Sequence, residues 1–321
     1  MWWMWNPRAS DHIESGPDTG ISAPRSMNVT ASDGVSLHVD LMDSETSDVT
    51  IILCHGYLLD SHSWDLQRAA LARNARLVLW DQRGHGLSGW NDPPNATVDQ
   101  LGQDLYAVLE ATAPQGPVVL IGHSMGGMAI LGLAESHPEL FGDRVSAVAL
   151  LATSAGGLSG VTLGLPVRAA HVLHQALRTS LWLLVRQARV IDAVRRATGS
   201  LSFRLTRKYL FASRVLAPVP ALTTLAMSST PIAVLAAFFS EFDTFDKRAA
   251  LSVLGQVRTL VLVGDRDTIT PVSHSEALAQ AAPGARLSII PEAGHLVALE
   301  RPQEVNEQLR RLVAGARGVT A

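Results

Sequence analysis

Apolar residues along this chain follow two rhythms. Over 27–29 and 35–41, on either side of Asp33-Gly34, apolar and polar positions alternate, the pattern of a hairpin with one buried face, and the Asp-Gly pair supplies its tight turn. Farther on come short, almost uninterrupted apolar runs at 49–53, 76–80, 117–121, 145–151, 257–263 and 285–290. A strand covered on both faces needs no polar side, so these runs predict buried parallel strands. Helix-length segments at 63–72, 98–112 and 125–136 separate them. In the second, Val98, Leu101, Leu105, Val108 and Leu109 recur at steps of three and four and make one core stripe. The alternation predicts an α/β protein: a doubly wound, mostly parallel eight-stranded sheet with the hairpin at its antiparallel edge.

One interruption, at 155–249, is too long for an ordinary crossover and carries periodic apolar stretches at 173–185, 190–194 and 201–205. It reads as a helical lid folded over the carboxyl ends of the strands, where open α/β sheets bind ligands. The expected organisation is a flexible leader at 1–25, the first part of the core at 26–154, the lid at 155–249 and the second part of the core at 250–321. The leader opens Met1-Trp2-Trp3-Met4-Trp5, without the basic start and apolar run of a signal peptide, so a cytoplasmic location is expected. Uncharged stretches at 145–167 and 215–240 are long enough to cross a membrane, but Gly156, Gly157, Gly160, Gly164 and Pro166 break the first and Pro218, Pro220 and Pro231 the second.

Composition narrows the chemistry. A single cysteine, Cys54, excludes an intramolecular disulfide and a cysteine-rich metal site. A net charge of −3 gives no overall reason to expect nucleic acid. The charge is unevenly spread, however: residues 168–214 hold ten basic side chains against one acid, Asp192, a local net of +9. Two explanations stand. The lid can meet an anionic lipid surface, giving peripheral membrane contact, or its arginines can snorkel around an ordinarily packed helical cap.

The chemistry-bearing residues sit at strand ends. Gly122-His123-Ser124-Met125-Gly126 is a G-x-S-x-G motif directly after an apolar strand and before a helix, which lifts the Ser124 hydroxyl on a sharp turn. A serine needs a base, and His295, in the loop after the last strand, follows an acid in chain order as that role requires. His55 and His123 flank glycines and are better suited to packing or hydrogen bonding, and His85 precedes the serine. The acid comes from Gly264-Asp265-Arg266-Asp267: Asp267 reaches farther past the strand, while Asp265, closer to it, can pair with Arg266 or satisfy loop amides. Glu292 reads as solvated surface. Two backbone amides must receive the negative oxygen, that of Met125 at the helix start and that of Tyr57 in the His55-Gly56-Tyr57 loop. In Asp81-Gln82-Arg83-Gly84-His85-Gly86 the charged pair is expected to fix loops by a salt bridge and amide hydrogen bonds.

With Cys54-His55-Gly56-Tyr57, Asp81 to Gly86, Gly122 to Gly127, Gly264 to Asp267 and Gly294-His295 in this order, the chain resembles the α/β-hydrolase fold superfamily, in its lidded esterase, lipase and perhydrolase-like group, over residues 26–314. In that family the acid is the aspartate three residues beyond the glycine, which is Asp267 here. The resemblance implies a Ser124-Asp267-His295 triad, a carboxylic-ester hydrolase working through an acyl-enzyme, and no metal or organic cofactor. Serine at the elbow disfavours haloalkane dehalogenases and epoxide hydrolases, which use aspartate. His-Gly-Tyr-Leu in place of His-Gly-Gly-Gly disfavours hormone-sensitive-type esterases, and His123 in place of asparagine lowers C–C bond hydrolases. A monoacylglycerol-type lipase, an acyltransferase or perhydrolase, and a ligand-binding receptor on the same fold remain alternatives. Leu58, Trp182, Phe238 and Phe239 suggest an apolar pocket for a small to medium acyl group of a small-molecule ester or lipid.

Overall fold

In a computed structural model, which describes residues 24–44, 48–73, 75–91, 93–162 and 166–316, the apolar runs pair into one eight-stranded sheet. All but the last two residues of the expected leader lie outside the described residues. The chain runs β1 (Arg25–Thr30), β2 (Ser36–Met42), β3 (Thr50–Cys54), α1 (Asp65–Leu71), β4 (Arg76–Trp80), α2 (Val98–Thr112), β5 (Val118–His123), α3 (Met125–Ser136) and β6 (Val145–Leu151). The inserted helices follow: α4 (Val167–Val185), α5 (Ala188–Leu210), α6 (Val219–Ser229) and α7 (Ile232–Glu241). The core resumes with β7 (Arg258–Gly264), α8 (Val272–Ala281), β8 (Arg286–Ile290), α9 (Val297–Glu300) and α10 (Pro302–Ala316).

The strand order is β1-β2-β4-β3-β5-β6-β7-β8. β2 is antiparallel to both β1 and β4, and every later pairing is parallel. Pro117 stays outside β5 because it has no amide to give the ladder, though its carbonyl accepts from Thr50. The runs of β3, β5 and β6 have the expected cause, since these strands are buried along their whole length, whereas β8 is parallel as expected but lies at the sheet edge with only Ile290 buried. Ile52, Leu120, Val148 and Leu150 pack on one face with Leu105 of α2 and Ile130 of α3. Their neighbours Ile51, Leu53, Ile121 and Ala149 pack on the other with Val305 and Leu309 of α10. Each fully buried aliphatic side chain contributes roughly 1.5–3 kcal/mol, so these layers dominate the stability of the core.

A buried ion pair ties the first turn to this core. The guanidinium of Arg83 grips both oxygens of Asp104 on α2, with both side chains fully buried, and also reaches Asp33 in the β1–β2 turn. The bonds from Arg83 hold the Asp33 carboxyl far below its ordinary range. The expected salt bridge between Asp81 and Arg83 is not formed: Arg83 pairs with Asp33 and Asp104, while Asp81 makes the expected amide bonds, accepting from Ser61 and Leu87. Arg83→Met leaves the Asp104 carboxylate buried without a counter-charge, held by the Gln100 amide, and is expected to destabilise the fold by about 3 kcal/mol, the low end for a broken buried pair. Burial already pushes the Asp104 pKa up against the pull of Arg83, so the orphaned carboxyl takes up a proton and limits the loss. A folded-state pKa raised above the unfolded one favours folding as pH falls, so urea denaturation is expected to show a smaller deficit at pH 5 than at pH 8.

In the cap, the apolar stretches at 190–194 and 201–205 belong to one continuous helix, α5. Gly199 does not interrupt it; a Cβ there would lie 3.0 Å from the Ser228 Cβ, so the glycine lets α6 approach closely. α7 docks on the core through Val234 and Phe238, buried against Leu101, Met125 and Ala129, while Phe203 of α5 and Val219 of α6 pack with Leu59 and Leu296. The Glu241 carboxylate accepts the Val98 amide at the start of α2. α4, by contrast, has no buried residue. Among the described residues no single helix is long and apolar enough to cross a membrane.

Candidate active site

The carboxyl ends of β5, β7 and β8 bring three side chains together. Ser124 follows β5 at φ 51°, ψ −118°, a backbone conformation that L-residues avoid, and α3 begins at the next residue. The turn closes only because its flanks are bare. A Cβ on Gly122 would stand 2.5 Å from the Gly126 backbone, and one on Gly126 would stand 2.1 Å from the Cys54 carbonyl oxygen. The Ser124 amide donates to the Leu151 carbonyl, and the Thr153 hydroxyl donates to the Ser124 carbonyl, which locks the elbow to the end of β6.

The Ser124 hydroxyl lies 3.1 Å from His295 Nε2, and His295 Nδ1 lies 2.9 Å from Asp267 Oδ2. An ionised carboxylate only accepts, so the ring proton sits on Nδ1 and Nε2 is left to receive the serine proton. Asp267 is held by four donors. Its Oδ1 takes the amides of Ile269 and Thr270, and its Oδ2 takes the Thr270 hydroxyl and the His295 ring. Burial alone would raise this carboxyl's pKa; the charge and hydrogen bond of His295, with the Thr270 amide and hydroxyl, outweigh it and hold the pKa below the ordinary value. Asp265 turns instead to the Ala293 amide. Glu292 is exposed, as expected of a surface residue.

The flanking histidines hold the frame. His123 donates from Nε2 to the His295 carbonyl at 2.9 Å. Burial, with the charge of His295 next, lowers its pKa to about 3, so it stays neutral. His55 accepts the Gln82 amide at Nε2, and burial likewise keeps it neutral. His85 is packed between Tyr57 and Phe238 and is held down to about 3, chiefly by burial.

Gly56 to Leu59 form a tight turn closed by the Leu59 amide on the Gly56 carbonyl, with Leu58 at φ 60°. A Cβ on Gly56 would meet His123 Nδ1 at 2.5 Å, so the turn lies directly against the elbow. Among the described residues neither the Tyr57 nor the Met125 amide has an acceptor. Phe238 is fully buried beside Met125 and Tyr57. Trp182 and Phe239 are elsewhere, lining a cavity of about 810 Å³ between α4 and α7 that no triad residue lines. Ser124, Asp267 and His295 are 7%, 5% and 5% exposed, so the cap and loops cover the reacting groups.

Sequence reasoning passed over Thr270 and Glu300. Thr270 stands three residues after Asp267, the spacing of a hydroxyl that closes a local turn on an aspartate, and this was the available signal. Glu300, on α9, accepts the Gly294 amide beside His295 and the amides of Ala212 and Ser213 after α5, so it joins the base loop to the cap. Nothing in its sequence surroundings marks a contact across 87 residues.

Residues 49–302 match the alpha/beta hydrolase fold family, and the chain belongs to it. The dihydrolipoyllysine-residue acetyltransferase component of the acetoin cleaving system of Pseudomonas putida is 30% identical over 81% of this chain, which spans only 62% of that protein. A sn-1-specific diacylglycerol lipase of Mus musculus is 25% identical, over 87% of this chain and 85% of that protein. The structure of a thermophilic esterase from Thermogutta terrifontis superposes with a TM-score of 0.70 at 26% identity, covering 91% of this chain and 99% of that one. Triad geometry, elbow and family together define a serine hydrolase with the machinery for ester hydrolysis.

Proposed function

We propose that this protein is a carboxylic-ester hydrolase acting on small-molecule esters with a small to medium apolar acyl group. The observation that carries the reading is the unbroken chain Ser124–His295–Asp267 at 3.1 and 2.9 Å on a strained strand-to-helix turn. Ser124 Oγ attacks the ester carbonyl as its proton passes to His295 Nε2, and Asp267 stabilises the imidazolium. The amides of Tyr57 and Met125 receive the oxyanion; each such donor supplies roughly 3 kcal/mol to the transition state. His295 returns the proton to the departing alcohol, and a water activated by the same ring cleaves the acyl-enzyme. Phe238 beside Met125 supports an apolar acyl group, and the esterase and lipase relatives support the reaction class.

Initial rates on p-nitrophenyl esters from acetate to palmitate test this. The highest kcat/KM is expected between acetate and octanoate, with palmitate at least tenfold lower. A maximum at palmitate would reverse the size assignment, and no turnover of any ester by a folded protein would remove the reaction.

The exposed apolar residues and arginines of α4 and α5 also support peripheral contact with an anionic bilayer. Cosedimentation with phosphatidylglycerol vesicles, lost in high salt and on neutralising Arg189, Arg196 and Arg204, is the expected result. Absence of binding at low salt returns these arginines to ordinary cap packing.

A further inference from the structure

The cavity between α4 and α7 belongs to the cap alone. It measures about 810 Å³, and every residue lining it comes from 175–186 or 233–240. Its origin lies in the sequence of α7, which turns Ala233, Ala236 and Ala237 toward α4 where larger side chains would fill the gap. Opposite them, Arg178 and Trp182 on α4 and Arg186, which caps the carboxyl end of that helix, stand at successive steps of four and so share one face. Both arginines are exposed although they line the cavity, which puts their charged ends at its mouth.

The two guanidinium groups differ from ordinary surface arginines. The guanidinium carbon of Arg186 lies over the Trp182 ring, 3.9 Å from its centroid, a cation–π contact that holds the charged group at this place. Among the described residues no carboxylate pairs with it. Arg178 has only a 3.8 Å contact with Asp243, whose carboxylate is already engaged by His174 at 2.9 Å. An apolar cleft within the usual range of small-molecule sites, roughly 300–1,000 Å³, with one unpaired and one loosely paired planar cation at its mouth is complementary to a single aliphatic chain ending in an anion.

We infer that this cavity is a binding site, separate from the triad, for a long-chain fatty acid anion, with the tail against Trp182 and the α7 alanines and the carboxylate on Arg178 and Arg186. The inference does not rest on the ester-hydrolase reading, since no triad residue lines the site. Phe238, packed on Met125, and Phe239, lining the cavity, are adjacent on α7, so an occupied site would sit one helix away from the elbow.

Isothermal titration of the full chain with sodium dodecanoate, kept below its micelle concentration, tests the site. One equivalent is expected to bind, with affinity unchanged in Ser124→Ala and after Ser124 has been blocked by a fluorophosphonate. The double variant Arg178→Gln/Arg186→Gln is expected to bind at least tenfold more weakly. Ala236→Trp, which fills the cavity, is expected to lose binding while keeping the parent's circular dichroism and melting temperature. Four results overturn the inference: no saturable binding, loss of binding when Ser124 is blocked, equal affinity for dodecanol, or binding to phosphatidylglycerol vesicles with none to monomeric dodecanoate. The second places the chain in the catalytic pocket, the third removes the arginines, and the fourth assigns them to a lipid surface.

Discussion

Ser124→Ala is expected to lower kcat/KM on p-nitrophenyl butyrate by about 10³-fold or more, because attack and proton relay both begin at this hydroxyl. The fold should be untouched, since alanine inherits the same backbone and Ser124 Oγ has one side-chain partner, His295 Nε2. Ser124→Gly separates the chemistry from the strain. At φ 51°, ψ −118° a Cβ is unfavourable and glycine is at ease, so this variant should be equally inactive yet more stable by about 1 kcal/mol. Two other nucleophiles must stay silent for the reading to hold. Cys54 is fully buried, and burial pushes its thiol up to about 12, so no thiolate forms at neutral pH. Ser154 lies 2.7 Å from His274 Nδ1 and looks like a second serine-histidine pair, but its proton goes to the Gly156 carbonyl and no carboxylate hydrogen-bonds that ring among the described residues. Ser154→Ala should therefore keep nearly full activity. A Ser124→Ala protein retaining a tenth of the parent rate would mean that another group attacks.

The legible part of the molecule is the part that repeats a local rule. Buried parallel strands leave uninterrupted apolar runs, and the elbow leaves glycines wherever a Cβ would strike backbone, as Gly122 and Gly126 do. The cap was legible only as an interruption. Its helices follow no pairing rule, and the close approach that Gly199 permits is to Ser228 on a different helix. The apolar residues Trp182, Phe238 and Phe239 look alike in sequence, yet α7 turns Phe238 to the elbow and Phe239 toward α4, a difference of one residue's rotation on the helix. Asp265 and Asp267 were separable by reach together with the family resemblance, but the reason Asp267 serves is tertiary: the loop folds two amides and the Thr270 hydroxyl around it while directing its second oxygen at His295. Glu300 was silent because its partners, before His295 and after α5, are brought to it only by the completed fold.

The arrangement around Asp267 makes Asp267→Asn a sharper probe than removal of the side chain. Oδ1 receives two backbone amides, so an asparagine keeps its carbonyl oxygen there and must point its NH₂ group where Oδ2 was, toward His295 Nδ1 and Thr270 Oγ1. The threonine hydroxyl can rotate to accept, which removes the only steric or polar objection. His295 must then present a bare Nδ1 to the amide and carry its proton on Nε2, facing Ser124 with a donor where an acceptor is required. The base is in place but in the wrong tautomer, and a loss near 10⁴-fold in kcat is expected at neutral pH, with substrate KM little changed. Thr270→Val should act in the same direction but mildly, roughly tenfold, because it removes one of the four donors that hold the carboxylate ionised and oriented. The melting temperature of Asp267→Asn should stay within a few degrees of the parent, since the amide keeps both backbone bonds. An Asp267→Asn enzyme with more than a tenth of parental kcat would show that Asp267 is not the acid, and Asp265, held at the Ala293 amide, would be the next residue to change.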